Sequence, residues 1–158
     1  LVEDLKKRGE TISCAESCTG GLAASNLTSL PGSSTYMMGS VTSYFLSVKE
    51  RVLGVKKDTL DRYGAVSEEC ALEMAEGVRN LISSDWAFSI TGVAGPDKSA
   101  VCLGFSGKDR KPVSVTIRFF SYGRESIRRR STAASFILMK AYMDGEDIRE
   151  IVEGWKVF

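Results

Sequence analysis

Short β-prone segments alternate with helical stretches along this chain, and few folds accept that alternation. Residues 2–8 (VEDLKKR) have the spacing of a short amphipathic helix, and 11–15 (TISCA) read as a buried strand. After ESCTGG (16–21), LAASNLTSL (22–30) reads as a helix that Pro31-Gly32 stops. Residues 35–45 (TYMMGSVTSYF) are aromatic and β-branched, which predicts a strand with a bulge at Gly39. Helices follow over 46–53 and 57–63, ended by Gly54 and Gly64. Ser67 then caps a helix with Glu68 and Glu69 in its first turn, continued by ALEMAEGVRNLI (71–82). Residues 86–91 (WAFSIT) predict a buried strand running into GVAGP (92–96). Residues 100–105 and 113–120 predict a hairpin turning through GKDRKP. One long helix is expected from Arg124 to about Met143, and a short one around 146–155. Trp86, Phe88, Ile90, Met74 and Leu81 read as core. The pattern predicts an α/β sandwich with helices on both faces, and the hairpin makes its sheet mixed.

The 158 residues suit one domain spanning 1–158, with no repeat, linker or low-complexity segment. Lysine plus arginine number 21 against 20 acidic residues, so no global basic excess points to nucleic acid or a membrane surface. No apolar run approaches the length of a spanning helix, and no secretory leader is visible. The four cysteines, Cys14, Cys18, Cys70 and Cys102, form no C-x-x-C pair, so they read as reduced thiols of a cytoplasmic protein. Histidine is absent. A Ser-His-Asp triad, a Cys-His dyad and histidine-based zinc sites are therefore excluded. Nothing in the residues calls for a metal or cofactor.

Ligands of open α/β sheets bind beyond the carboxyl ends of the strands. Three such exits carry polar or glycine-rich residues here. The first is ESCTGG (16–21), whose glycines allow close backbone approach and whose following helix offers N–H groups to an anion or oxyanion. Its simpler reading is a tight strand-to-helix turn. The second is TGVAGP (91–96), which also reads as a turn. The third is the strand end at Tyr44, leading to a helix with Lys49 in its first turn. Without histidine, a hydroxyl activated by a desolvated lysine is one of few solutions for a nucleophile. Ser17 with Lys49 is one such pair; Cys18 with Lys49 and Glu16 is the thiol alternative. Arg124 and Arg128 share a helical face; Arg124, at a helix start after Gly123, suits a phosphate or carboxylate, whereas Arg129 and Arg130 read as a solvated helix side.

AESCTGG (15–21), PGSS (31–34), Tyr44 with Lys49 and LGV (53–55), GAVSEE (64–69), MAEG (74–77) and TGVAGP (91–96) occur in this order. Together they resemble the CinA C-terminal domain family, which includes nicotinamide mononucleotide deamidases. The resemblance covers roughly residues 5–143. It implies a three-layer α/β/α sandwich with a mixed five-stranded sheet. It also implies hydrolysis of the carboxamide of nicotinamide mononucleotide, giving nicotinate mononucleotide and ammonia, in pyridine nucleotide salvage. By motif position it implies Ser17 as nucleophile, Lys49 as base and Tyr44 as an assisting hydroxyl. Thr91 becomes a substrate contact and Arg124 an anion contact. Backbone N–H groups near Thr19, Gly20 and Gly21, or at Gly92, are the candidates for holding the oxyanion.

The chain departs from the family pattern after Pro96. A longer glycine-rich stretch and a P-V-G-T-like strand are replaced by Asp97-Lys98-Ser99-Ala100-Val101-Cys102-Leu103-Gly104. The shortened loop either alters substrate choice or leaves the pocket unable to close. A catalytically weak nucleotide-binding module is therefore the alternative expectation. The N-terminal partner domain frequent in the family is not in this sequence, which reads as a stand-alone form or an excised domain. The expected partners are a small-molecule nucleotide and further copies of the chain in a homo-oligomer, with no nucleic acid and no membrane.

Overall fold

The computed structural model describes residues 1–96, 99–120 and 123–155. Its strands are β1 (Ile12–Glu16), β2 (Met37–Thr42), β3 (Trp86–Ala94), β4 (Ser99–Gly107) and β5 (Arg110–Phe119). Its helices are α1 (Val2–Arg8), α2 (Leu22–Thr28), α3 (Leu46–Leu53), α4 (Lys57–Tyr63), α5 (Glu68–Ile82), α6 (Arg124–Asp144) and α7 (Ile148–Gly154). The five strands form one sheet in the order β2-β1-β3-β4-β5. β1 runs parallel to β2 and β3, while β4 is antiparallel to both β3 and β5. The sheet is thus mixed, with α2 and α6 packed on one face and α5 on the other.

The two faces differ in side-chain size. Ile12 and Cys14 of β1 and Trp86, Phe88 and Ile90 of β3 point toward α6 and build the larger core with Leu138 and Met139. The alternate positions are small: Ser13, Ala15, Ala87 and Ser89 are all fully buried toward α5. α5 therefore lies close against the sheet. A Cβ on Gly104 of β4 would stand 2.2 Å from the Ala71 carbonyl oxygen, and one on Gly77 would stand 1.9 Å from that of Leu53. Ser67 caps α5 by accepting from the Cys70 N–H at 3.1 Å.

Several boundaries differ from the sequence reading. β3 continues through Gly92-Val93-Ala94, because β4 pairs with it residue by residue to Ser99. The hairpin turn is only Lys108-Asp109, and Pro112 lies inside β5, which tolerates it as an edge strand. The irregularity in β2 skips Met38, next to the expected Gly39. Leu81 is 56% exposed, so the core face of α5 runs through Met74 and Val78 instead. Asp97 and Lys98 of the shortened loop lie outside the described residues. Among the described residues no helix is long and apolar enough to cross a membrane.

Candidate active site

The site forms where β1 and β2 end side by side. Ser43 follows β2, and its N–H donates to the Glu16 carbonyl at 2.8 Å, which fastens the two strand ends together. α3 starts three residues later. Side chains in a helix tilt toward its N-terminus, so Lys49, in the first turn, is directed back at those ends. Its Nζ donates to the Ser43 carbonyl at 2.5 Å and to Ser17 Oγ at 3.1 Å. Lys49 is 1% exposed and Ser17 8% exposed. Burial holds the Lys49 ammonium below the usual lysine range, offset in part by Cys70 and Cys18. A neutral Lys49 can keep one N–H on Ser43 and turn its lone pair to the Ser17 hydroxyl.

The neighbouring thiol is placed otherwise. Cys18 packs into the apolar core on the α6 side, and burial pushes its thiol up to about 11. Few thiolates exist there near neutral pH, so the thiol alternative loses to serine.

Glu16 caps α2. Its fully buried carboxylate accepts from the Ala23 N–H at 2.9 Å and the Ala24 N–H at 3.0 Å. The N–H groups of Leu22 and Ser25 are held by the carbonyls of Thr19 and Gly21. The start of α2 is thus filled from within, and the expectation that it offers free N–H groups to an anion is corrected. Period-two alternation puts Glu16 on the same face as Cys14, under that helix. Gly20 and Gly21 adopt φ of 61° and 103°, a backbone that favours glycine. The Gly20 N–H closes on the Ser17 carbonyl at 3.0 Å. Thr19 is fully buried, and its Oγ1 is a buried hydroxyl without a partner.

Arg124 donates to the Ala94 carbonyl at 3.3 Å and to the Tyr44 hydroxyl at 3.1 Å. Tyr44, 62% exposed, is therefore grouped with the guanidinium at the rim, not hydrogen-bonded to Lys49 or Ser17. Thr91 is buried and donates to the Ala65 carbonyl at 2.7 Å. Gly92 permits β3 and β4 to approach, since a Cβ there would lie 2.7 Å from the Ala100 carbonyl oxygen. Ser17 and Lys49 thus meet directly, Tyr44 meets Arg124, and Thr91 is held by a loop carbonyl.

One contributor escaped the sequence reading, as did the role of another. Ser43 acts through a backbone carbonyl, which no residue type announces. Arg128 donates Nε to the Cys18 carbonyl at 3.1 Å and Nη2 to the Thr19 carbonyl at 2.9 Å. Its spacing of four from Arg124 puts both on one helix face, but its carbonyl partners lie far away in the chain. Among the described residues no group of three or more acidic or cysteine side chains is placed to hold a metal ion. Two cavities of ≈ 400 and ≈ 410 Å³ lie elsewhere, one apolar beside Phe119 and Ile137, one polar beside Glu68 and Thr116.

Comparison with known proteins matches the chain to one family. The model of the CinA C-terminal domain matches residues 1–143. A CinA-like protein from Endomicrobium trichonymphae is 44% identical over 141 residues, covering 86% of this chain and 33% of that protein. A CinA-like protein from Pseudothermotoga lettingae is 41% identical over 128 residues, covering 81% of this chain and 29% of that one. The chain thus spans about a third of the length of the curated relatives it matches. Among solved structures, the competence/damage inducible protein CihA from Agrobacterium tumefaciens superposes with a TM-score of 0.82 at 33% identity, covering 88% of this chain and 89% of that one. The CinA superfamily protein from Escherichia coli gives a TM-score of 0.78 at 26% identity, covering 82% and 78%.

Proposed function

The chain belongs to the CinA C-terminal domain family, and on that premise we propose that it hydrolyses the carboxamide of nicotinamide mononucleotide by a Ser17–Lys49 dyad. The observation that carries this reading is the 3.1 Å contact between Lys49 Nζ and Ser17 Oγ in a desolvated setting, in a chain without histidine. Desolvation favours the neutral amine, and a neutral amine is a base.

In the first step Ser17 Oγ bonds to the carboxamide carbon, the carbonyl π pair moves to oxygen, and the hydroxyl proton passes to Lys49. Collapse breaks the C–N bond, and Lys49 returns that proton to the departing nitrogen, which leaves as ammonia. Water then attacks the ester while Lys49 takes its proton. The ester C–O bond breaks, Lys49 passes that proton to Ser17 Oγ, and nicotinate mononucleotide leaves. The Arg124 guanidinium, steadied by Ala94 and Tyr44, pairs with the substrate phosphate.

The test is ammonia release from nicotinamide mononucleotide by the purified, chelator-treated protein. Equal yields of ammonia and nicotinate mononucleotide are expected. Folded protein that releases no ammonia overturns the substrate assignment.

A further inference from the structure

Arg128 is fixed by Glu125 at 3.0 Å and gives two further donors to backbone. Its Nε and Nη2 take the carbonyls of Cys18 and Thr19, residues that lie 110 and 109 positions away in the chain. A planar guanidinium holds two such acceptors in a fixed relation, which a lysine ammonium does not. The peptide bonds are trans, so each N–H points opposite to the carbonyl of its own peptide. With the Thr19 carbonyl on Arg128, the Gly20 N–H is turned to the Ser17 carbonyl, which it meets at 3.0 Å. Thr19 is fully buried, so its backbone works inside the turn that follows Ser17 and not against a ligand. The Thr19 side chain does not anchor the loop, since its hydroxyl has no partner.

We propose that Arg128 is a positioning residue that locks the Cys18–Thr19 backbone and so fixes the turn that presents Ser17 Oγ to Lys49. This rests on the Ser17–Lys49 reading but not on the identity of the amide. Arg124 and Arg128 both act electrostatically on the Cys18 thiol, so positive charge already lies over the loop that carries the nucleophile. A misplacement of about 1 Å at a reacting atom costs on the order of 100-fold in rate, so a loosened turn loses much of the attack.

The test uses a small alkyl fluorophosphonate, which reads the reactivity of Ser17 Oγ without any nucleotide. Ser17 Oγ bonds to phosphorus, the P–F bond breaks, fluoride leaves, and the serine proton goes to Lys49. Labelling rates are measured from pH 6 to 10, the span around the usual histidine-to-lysine range, for wild type, Arg128→Met, Arg128→Lys and Arg129→Met. Arg129→Met removes the same charge from the same turn and leaves both carbonyls held. We expect a loss of about tenfold or more in Arg128→Met, partial recovery in Arg128→Lys or with added guanidinium ion, and near-wild-type labelling in Arg129→Met. The pH midpoint stays where wild type has it, because the base is untouched. Labelling of folded Arg128→Met within about twofold of wild type, or a loss that comes with a moved midpoint, overturns the proposal. If Arg128→Met fails to fold, Arg128→Lys carries the same two criteria. Wild-type protein that labels but releases no ammonia from nicotinamide mononucleotide leaves Arg128 standing and removes only the substrate. Wild-type protein that does not label at Ser17 overturns both.

Discussion

Lys49 Nζ meets Ser17 Oγ at 3.1 Å although the two residues are 32 positions apart. The contact exists because β1 and β2 are parallel neighbours whose ends are tied by Ser43, and because α3 starts at once and tips its first-turn lysine backward. An ammonium at 1% exposure is disfavoured by the fold itself.

That burial predicts the pH behaviour. The active base is neutral Lys49, so kcat/KM rises with pH through the depressed Lys49 pKa and then levels. A rate that falls over the same range assigns the base elsewhere. Stability follows the same group. The unfolded chain binds more protons than the native one between the depressed Lys49 value and the usual 10.5. Lys49 therefore contributes a term that strengthens as pH rises across that window. The Tm difference between wild type and Lys49→Met should shift in favour of wild type with rising pH, read by calorimetry.

Cys18 should be silent. Its thiol is buried and pushed up to about 11. Native protein near neutral pH should resist alkylation at Cys18, and Cys18→Ala should keep activity within about tenfold, against the collapse expected for Ser17→Ala. Peptide mapping after iodoacetamide checks the first, and ammonia release the second.

Arg124→Ala should raise KM for nicotinamide mononucleotide by roughly 10- to 100-fold, the worth of a charge-assisted hydrogen bond, with a smaller change in kcat. Tyr44→Phe should do less, because Ala94 still holds the guanidinium. With nicotinamide riboside, which lacks the phosphate, wild type and Arg124→Ala should converge. A persistent gap in steady-state kinetics contradicts the phosphate assignment.

Gly104→Ala should destabilise the protein by about 1–3 kcal/mol, because the new methyl meets the Ala71 backbone and α5 must back away. Denaturant titration reads the loss. An unchanged midpoint contradicts the close packing of α5 on β4.

The strand and helix order was legible because apolar alternation and glycine stops are local signals. β3 and β4 ran longer than their apolar centres because partner strands, not propensity, set their ends. Leu81 looked like core because periodicity alone does not say how wide the buried stripe of α5 is. In the site, Ser17 and Lys49 were visible as chemistry and as motif positions. Glu16 as the cap of α2 was hidden, since it lies outside that helix and before the glycines. Arg128 was legible as sharing the face of Arg124, but its role was hidden because its partners are distant carbonyls.

The most direct test of the account is pre-steady-state ammonia release from nicotinamide mononucleotide by wild type, Ser17→Ala and Lys49→Met. The dyad predicts release by wild type and a loss of about 1,000-fold or more in each variant, with both still folded. Ser17→Ala protein that releases ammonia within about tenfold of the wild-type rate contradicts the dyad.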